Sequence, residues 1–280
     1  MSKYIIEFQK TGTICFTSHL DLMRIFKRAF KRTGIALAYS QGFNPHPKMG
    51  FAQPLSLGYW GMEEYFECET AEEWVPDQLL QRLAQGMPEG IELKQCRKAD
   101  ALTKTLASHT VAAEYMIAVP VGARMGSPNA PGGHGAPEGS DPKPGDAAVD
   151  PDPGIDLSDP RALWHSYMDL EEIQVWKRQK KKKEPKKIDI KPMIREITFS
   201  PATASEGSVE NNNGKREQAA DSSTMLYINT LLDCGSDSNL SPELIITSVC
   251  KRFSIAVDRS EISVMRKKIL FDRPLDQLLV

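Results

Sequence analysis

Between residues 40 and 48 the chain reads Ser40-Gln41-Gly42-Phe43-Asn44-Pro45-His46-Pro47-Lys48, and no regular element can run through it. Pro45 and Pro47 lack backbone donors, and each pushes the residue before it, Asn44 and His46, toward extended backbone. A stiff loop follows, displaying an amide, an imidazole, an aromatic ring and an ammonium together. Elements of secondary structure must stop before this loop and restart after it.

Those elements alternate. Residues 3–8, rich in β-branched and aromatic side chains, predict a strand. Residues 17–33 predict a helix, with Ser18 as N-cap, Asp21 three positions on, and Gly34 just past the end. Leu22, Ile25, Phe26, Ala29 and Phe30 share one face of that helix at helical spacing. Arg24, Lys27, Arg28, Lys31 and Arg32 share the opposite arc. A strand over 35–39, the loop, a strand over 64–70, a helix over 76–85 and a strand over 91–96 complete a β-α-β-β-α-β order. That is the ferredoxin-like pattern. The order returns after residue 108, with strands over 111–119, 194–199, 225–232 and 261–271 and helices over 159–170 and 242–251. The expected fold is α+β: two tandem ferredoxin-like halves, 1–108 and 109–280. Two segments, near 121–154 and 201–223, are too rich in Gly, Pro, Ser and Asn to bury a core and read as disordered insertions in the second half.

Charge is segregated behind a formal net charge of −2. Residues 120–160 carry seven acidic and two basic side chains, and 171–199 carry ten basic and five acidic. Residues 174–178 and 186–190 predict the arms of a hairpin whose Lys177, Arg178, Lys180, Lys181, Lys182, Lys183, Lys186 and Lys187 form a dense basic run. A flexible solvated turn is the bland reading, but this density suits a polyanion, with ribosomal or transfer RNA as candidates. The helical stripe suits phosphates too, since arginine binds them bidentately and lysine as a point charge.

Within the loop, Gln41, Gly42, Phe43, Asn44, Pro45, His46, Pro47 and Lys48 make a recognition element, with Phe43 available to stack on a base or to anchor the loop. His19 and His46 are the candidate acid–base pair for metal-independent RNA cleavage, against the simpler reading that both are structural or ligand-contacting. The sequence carries no Gly-rich phosphate loop, GxSxG or HExxH motif, and its five cysteines form no CxxC pair. No metal or cofactor is expected. The amino-terminal residues lack a signal-peptide core and no apolar run is long enough to span a bilayer, so a cytoplasmic protein without membrane contact is expected.

Thr17-Ser18-His19-Leu20-Asp21-Leu22, Tyr39-Ser40 through Pro47-Lys48, Pro54-Leu55-Ser56-Leu57-Gly58 and Ile188-Asp189-Ile190-Lys191-Pro192-Met193-Ile194 resemble the motifs of the bacterial radical SAM-linked domain family. The resemblance implies a radical S-adenosylmethionine enzyme as partner in trans, because no CxxxCxxC triad is present to hold a cluster in this chain. The tandem order also resembles the repeat-processing endoribonucleases of CRISPR systems, a likeness of fold that favours RNA contact. The expected role is a non-catalytic accessory that presents RNA to the partner enzyme. The alternatives are an RNA-processing enzyme using the two histidines and a protein–protein adaptor without nucleic acid.

Overall fold

A computed structural model describes residues 1–121, 146–177, 185–203 and 224–279. The protein is mixed α+β with mostly sheet cores, and divides into two compact units. The first comprises Met1–Glu114, Asp233–Asn239 and Val264–Val280; the second, Tyr115–Leu232 and Leu240–Ser263. The units are therefore not contiguous in sequence.

The first unit opens with β1 (Ser2–Lys10), a short 3-10 turn and α1 (His19–Thr33). The Ser18 hydroxyl accepts the Asp21 N–H at 3.2 Å, and Gly34 ends the helix at φ 73°, a conformation that only a residue without Cβ adopts cheaply. β2 (Met49–Phe51), β3 (Trp60–Thr70), α2 (Pro76–Ala84) and β4 (Ile91–Lys98) follow. β1 lies between β4 and β3, antiparallel to both, and β2 pairs with the far edge of β3 at residues 66–68. Because side chains alternate along β1, Tyr4, Ile6 and Phe8 pack with Leu22, Phe26, Phe30 and Leu79 on the helical side, while Ile5 packs with Leu102, Leu106 and Ile269 on the other. The division between units falls within β5 (Thr110–Val121).

The second unit holds α3 (Pro160–Met168), β6 (Gln174–Lys177), β7 (Lys186–Asp189), β8 (Ile194–Thr203), β9 (Thr224–Asp233) and α4 (Pro242–Arg252). Its strand order is β5-β9-β8. The rings of Tyr167, Phe199 and Phe253 meet beneath α3, and the Tyr167 hydroxyl bonds Ser248 of α4 at 2.6 Å. The chain then returns to the first unit as β10 (Ser263–Phe271), parallel to the start of β3, and α5 (Leu275–Leu278).

Three expectations change. The strand over 35–39 reduces to single bridges, Leu37 to Thr70 and Tyr39 to Pro47. β3 ends at Thr70 and its positions 66–68 are already taken by β2, so 35–39 meets only the last residues of β3, where Ala38 donates its N–H to Glu69 O at 2.8 Å. Residues 146–154, assigned above to an insertion, are packed: Trp176 donates its N–H to Asp146 O, Ala148 donates to Gln174 O, and Ala147 and Val149 are buried. The second insertion starts later than 201, because β8 continues through Pro201 opposite Leu226. Proline is admissible there because β8 is the end strand of the β5-β9-β8 order, where a missing donor breaks no ladder. Residues 122–145 and 204–223, the bulk of both expected insertions, lie outside the described residues. No helix among the described residues is long and apolar enough to cross a membrane.

Candidate nucleic-acid interface

The proline loop is clamped at its base. Ser40 donates its N–H to His46 O at 2.8 Å, and His46 returns its own N–H to the Ser40 hydroxyl at 3.0 Å. Lys48 donates its N–H to Ala38 O at 2.8 Å, and Ala38 and Glu69 complete the tie to β3. The two prolines leave no backbone donor stranded, so the span stays rigid without a ladder of its own. Gln41, Gly42, Asn44, Pro45 and His46 are exposed, and Phe43 is fully exposed. Phe43 therefore does not anchor the loop to the core. Lys48 differs from expectation in one respect: Glu69 holds its ammonium at 2.7 Å, so the loop offers an aromatic ring and neutral polar groups more than a charge.

The basic stripe of α1 is unequal along its length. Arg24 is paired with Asp21 at 2.7 Å, and the Ser18 hydroxyl, with Arg24, holds the Asp21 carboxyl below its usual pKa. Arg32 donates to the Gly86 carbonyl. Lys27, Arg28 and Lys31 are exposed and form no ion pair with any described residue. Three cations thus stand on adjacent turns of one helical face.

His19 and His46 occupy different settings. His19 opens α1 with its ring edge on Phe51 at 5.6 Å, and its Nδ1 is buried without a hydrogen-bond partner. Burial holds its imidazole below the usual histidine pKa. His46 stands on the exposed loop, engaged through its backbone. No hydrogen bond or ring contact joins the two, and among the described residues no carboxylate bonds either ring.

Sequence reasoning missed the groups beneath the Pro54–Gly58 motif. Arg266 of β10 and Glu64 of β3 are each 2% exposed and form a two-armed ion pair, Nε to Oε1 at 2.7 Å. The same guanidinium donates to Pro54 O and Gln53 O, each at 3.2 Å. Lys10 is also fully buried, donating to Cys15 O and Thr17 O at 3.1 Å, and burial lowers its pKa. Gly58 N–H completes the arrangement by bonding Cys15 O at 2.9 Å. Buried charges thus fasten the segment before α1 and the 53–58 segment. A sequence read for amphipathic periodicity gives no signal for them, since Lys10, Glu64 and Arg266 look like ordinary polar positions of strands.

In the second unit, β6 and β7 form the expected antiparallel hairpin, with Lys177 directly opposite Lys186. Like charges facing across a ladder are destabilising, and a bound polyanion would relieve that repulsion. Lys187 places its ammonium 5.3 Å from the Trp176 ring centroid. Arg178, Lys180, Lys181, Lys182 and Lys183, at the tip, lie outside the described residues.

A search of curated proteins finds no match to the chain. A family profile does match, over residues 3–242: DUF2344, described as an uncharacterized protein conserved in bacteria. That span takes in the α1 segment, the proline loop, the Pro54–Gly58 segment and the basic hairpin, and the chain belongs to the DUF2344 family.

Proposed function

We propose that this protein binds single-stranded RNA and presents it to a separate radical S-adenosylmethionine enzyme, without catalysing a reaction itself. The observation that carries the RNA reading is Phe43, fully exposed on a loop clamped by Ser40 and His46. Burying a phenylalanine side chain stabilises a protein by about 1.5–3 kcal/mol, so a rigid loop that forgoes this is built to receive something flat and apolar. Lys27, Arg28 and Lys31, which form no ion pair with a described residue, supply the phosphate contacts that turn a stacking platform into a nucleic-acid site. Cleavage by His19 and His46 has less support, because no described contact joins the two histidines and no described carboxylate orients either. The partner enzyme is inferred from the motif resemblance alone.

The strand neighbours support reading both halves as ferredoxin-like. In the first, β4-β1-β3-β2 sets the fourth strand beside the first, then the third, then the second. In the second half β10-β5-β9-β8 repeats that relative order, with the basic hairpin inserted before its second strand.

Fluorescence anisotropy with a labelled single-stranded RNA tests the loop. Phe43→Ala is expected to weaken binding roughly 5- to 100-fold, the range for loss of one base–aromatic stack. Unchanged affinity would remove the loop from the RNA site.

A further inference from the structure

We infer that the second unit carries a pocket for one nucleobase, between α3 and β8, with Trp164 as its stacking surface and Arg161 as its phosphate ligand. The inference rests on the RNA-binding reading and adds to it a site built from residues other than those of the loop and the basic hairpin. The cleft is lined by Pro160, Arg161, Trp164, His165, Thr198 and Phe199 and encloses about 200 Å³. Pockets for drug-sized ligands run to about 300–1,000 Å³, so this one suits a single flat ring system rather than an extended cofactor.

Its residues follow from the helix. α3 buries Leu163 and Tyr167 against the core and leaves Trp164 40% exposed, although tryptophan is costly to leave in water. Arg161 and Trp164 are three residues apart, and His165 lies four from Arg161, so all three project from neighbouring positions on the surface. Asp169 holds the His165 ring at 3.0 Å through Nδ1, and that ring meets the indole edge-on at 5.2 Å. The indole is thereby backed on one side. Asp159, two residues before Arg161, is engaged as N-cap, accepting the N–H groups of Arg161 and Ala162 at 2.9 and 3.3 Å. Arg161 itself is exposed, and its guanidinium makes no ion pair with a described residue. A cation beside an apolar slot matches a base with its adjoining phosphate. An aromatic side chain beside a carboxylate would match the same chemistry in a protein partner. RNA is favoured because the same unit also presents the facing Lys177 and Lys186 pair.

The test uses the full chain, a labelled single-stranded RNA oligonucleotide and adenosine monophosphate. Adenosine monophosphate should quench part of the tryptophan fluorescence, and Trp164→Phe should abolish that part while keeping most of the RNA affinity, since a ring remains. Trp164→Ala should weaken RNA binding about 5- to 100-fold, with an unchanged thermal melt showing that the fold is intact. Arg161→Gln should weaken binding and flatten its salt dependence. If RNA binds the wild type and Trp164→Ala equally, the pocket is not a base site, and the wider RNA reading stands. The pocket is likewise no base site if only an acidic aromatic peptide occupies the cleft. If the wild type binds no RNA, both fall.

Discussion

Removing Arg266 should loosen the segment on which the Pro54–Gly58 motif sits. Arg266 and Glu64 are each 2% exposed and paired through both arms of the guanidinium. In Arg266→Met the Glu64 carboxylate stays buried and loses its partner, a change that costs about 3–5 kcal/mol in comparable sites. The freed Pro54 carbonyl adds little, because Pro54 is exposed and water can replace the donor. Glu64→Gln should be at least as damaging, since it leaves two buried cations, Arg266 and Lys10, without the carboxylate that both face. The double variant Glu64→Leu/Arg266→Met removes the unpaired charge and should lose less than either single change, though Lys10 prevents complete recovery. Urea unfolding followed by tryptophan fluorescence measures this, with the midpoint moving and the slope unchanged. An Arg266→Met protein within about 0.5 kcal/mol of wild type, or a double variant whose loss equals the sum of the singles, would refute the argument.

Other outcomes follow from the same chemistry. Burial depresses the His19 pKa, so below the ordinary histidine value the unfolded chain takes up a proton that the folded one resists. Stability should be fully present above about pH 6.5 and should fall as pH drops from there through the folded pKa. Thermal melts at pH 7.5 and 5.5 should show that loss in wild type and a smaller one in His19→Gln; equal losses would discount the histidine. Gly90→Ala should cost about 2–5 kcal/mol, because Gly90 has φ 86° and a Cβ would stand 2.5 Å from the Thr11 carbonyl oxygen. A wild-type unfolding midpoint for that variant would contradict it. Tyr167→Phe should cost only about 0.5–1.5 kcal/mol, since Ser248 still donates to Ile245 O at 3.0 Å.

What could be read in the sequence was what local chemistry decides. Ser18, Asp21 and Gly34 mark the ends of α1 by short-range bonds, and Leu22, Phe26, Ala29 and Phe30 point to the core because helical spacing leaves them no other face. The proline loop was legible for the same reason, since Pro45 and Pro47 forbid the alternatives. Long-range pairing was not. Nothing near Ile35 tells that β3 stops at Thr70, so the strand expected over 35–39 belongs after the loop, at Met49–Phe51. Composition also misplaced the edges of both inserted segments. Ala147 and Val149 sit among acidic and proline residues yet are buried, and β8 tolerates Pro201 only because it is an end strand. Charge counting overstated the stripe, because Asp21 and the Gly86 carbonyl engage Arg24 and Arg32 from positions that a one-sided tally ignores. The Arg266–Glu64 pair joins residues 202 positions apart, beyond the reach of any motif.

The central claim, that α1 grips RNA phosphates, is tested most directly by the salt dependence of RNA binding. For single strands log K falls with log salt by about 0.7 per phosphate contact. Neutralising Lys27, Arg28 and Lys31 together to glutamine should therefore lower the slope by about 2 and weaken binding most at low salt. A triple variant that keeps both the wild-type slope and the wild-type affinity would contradict the account.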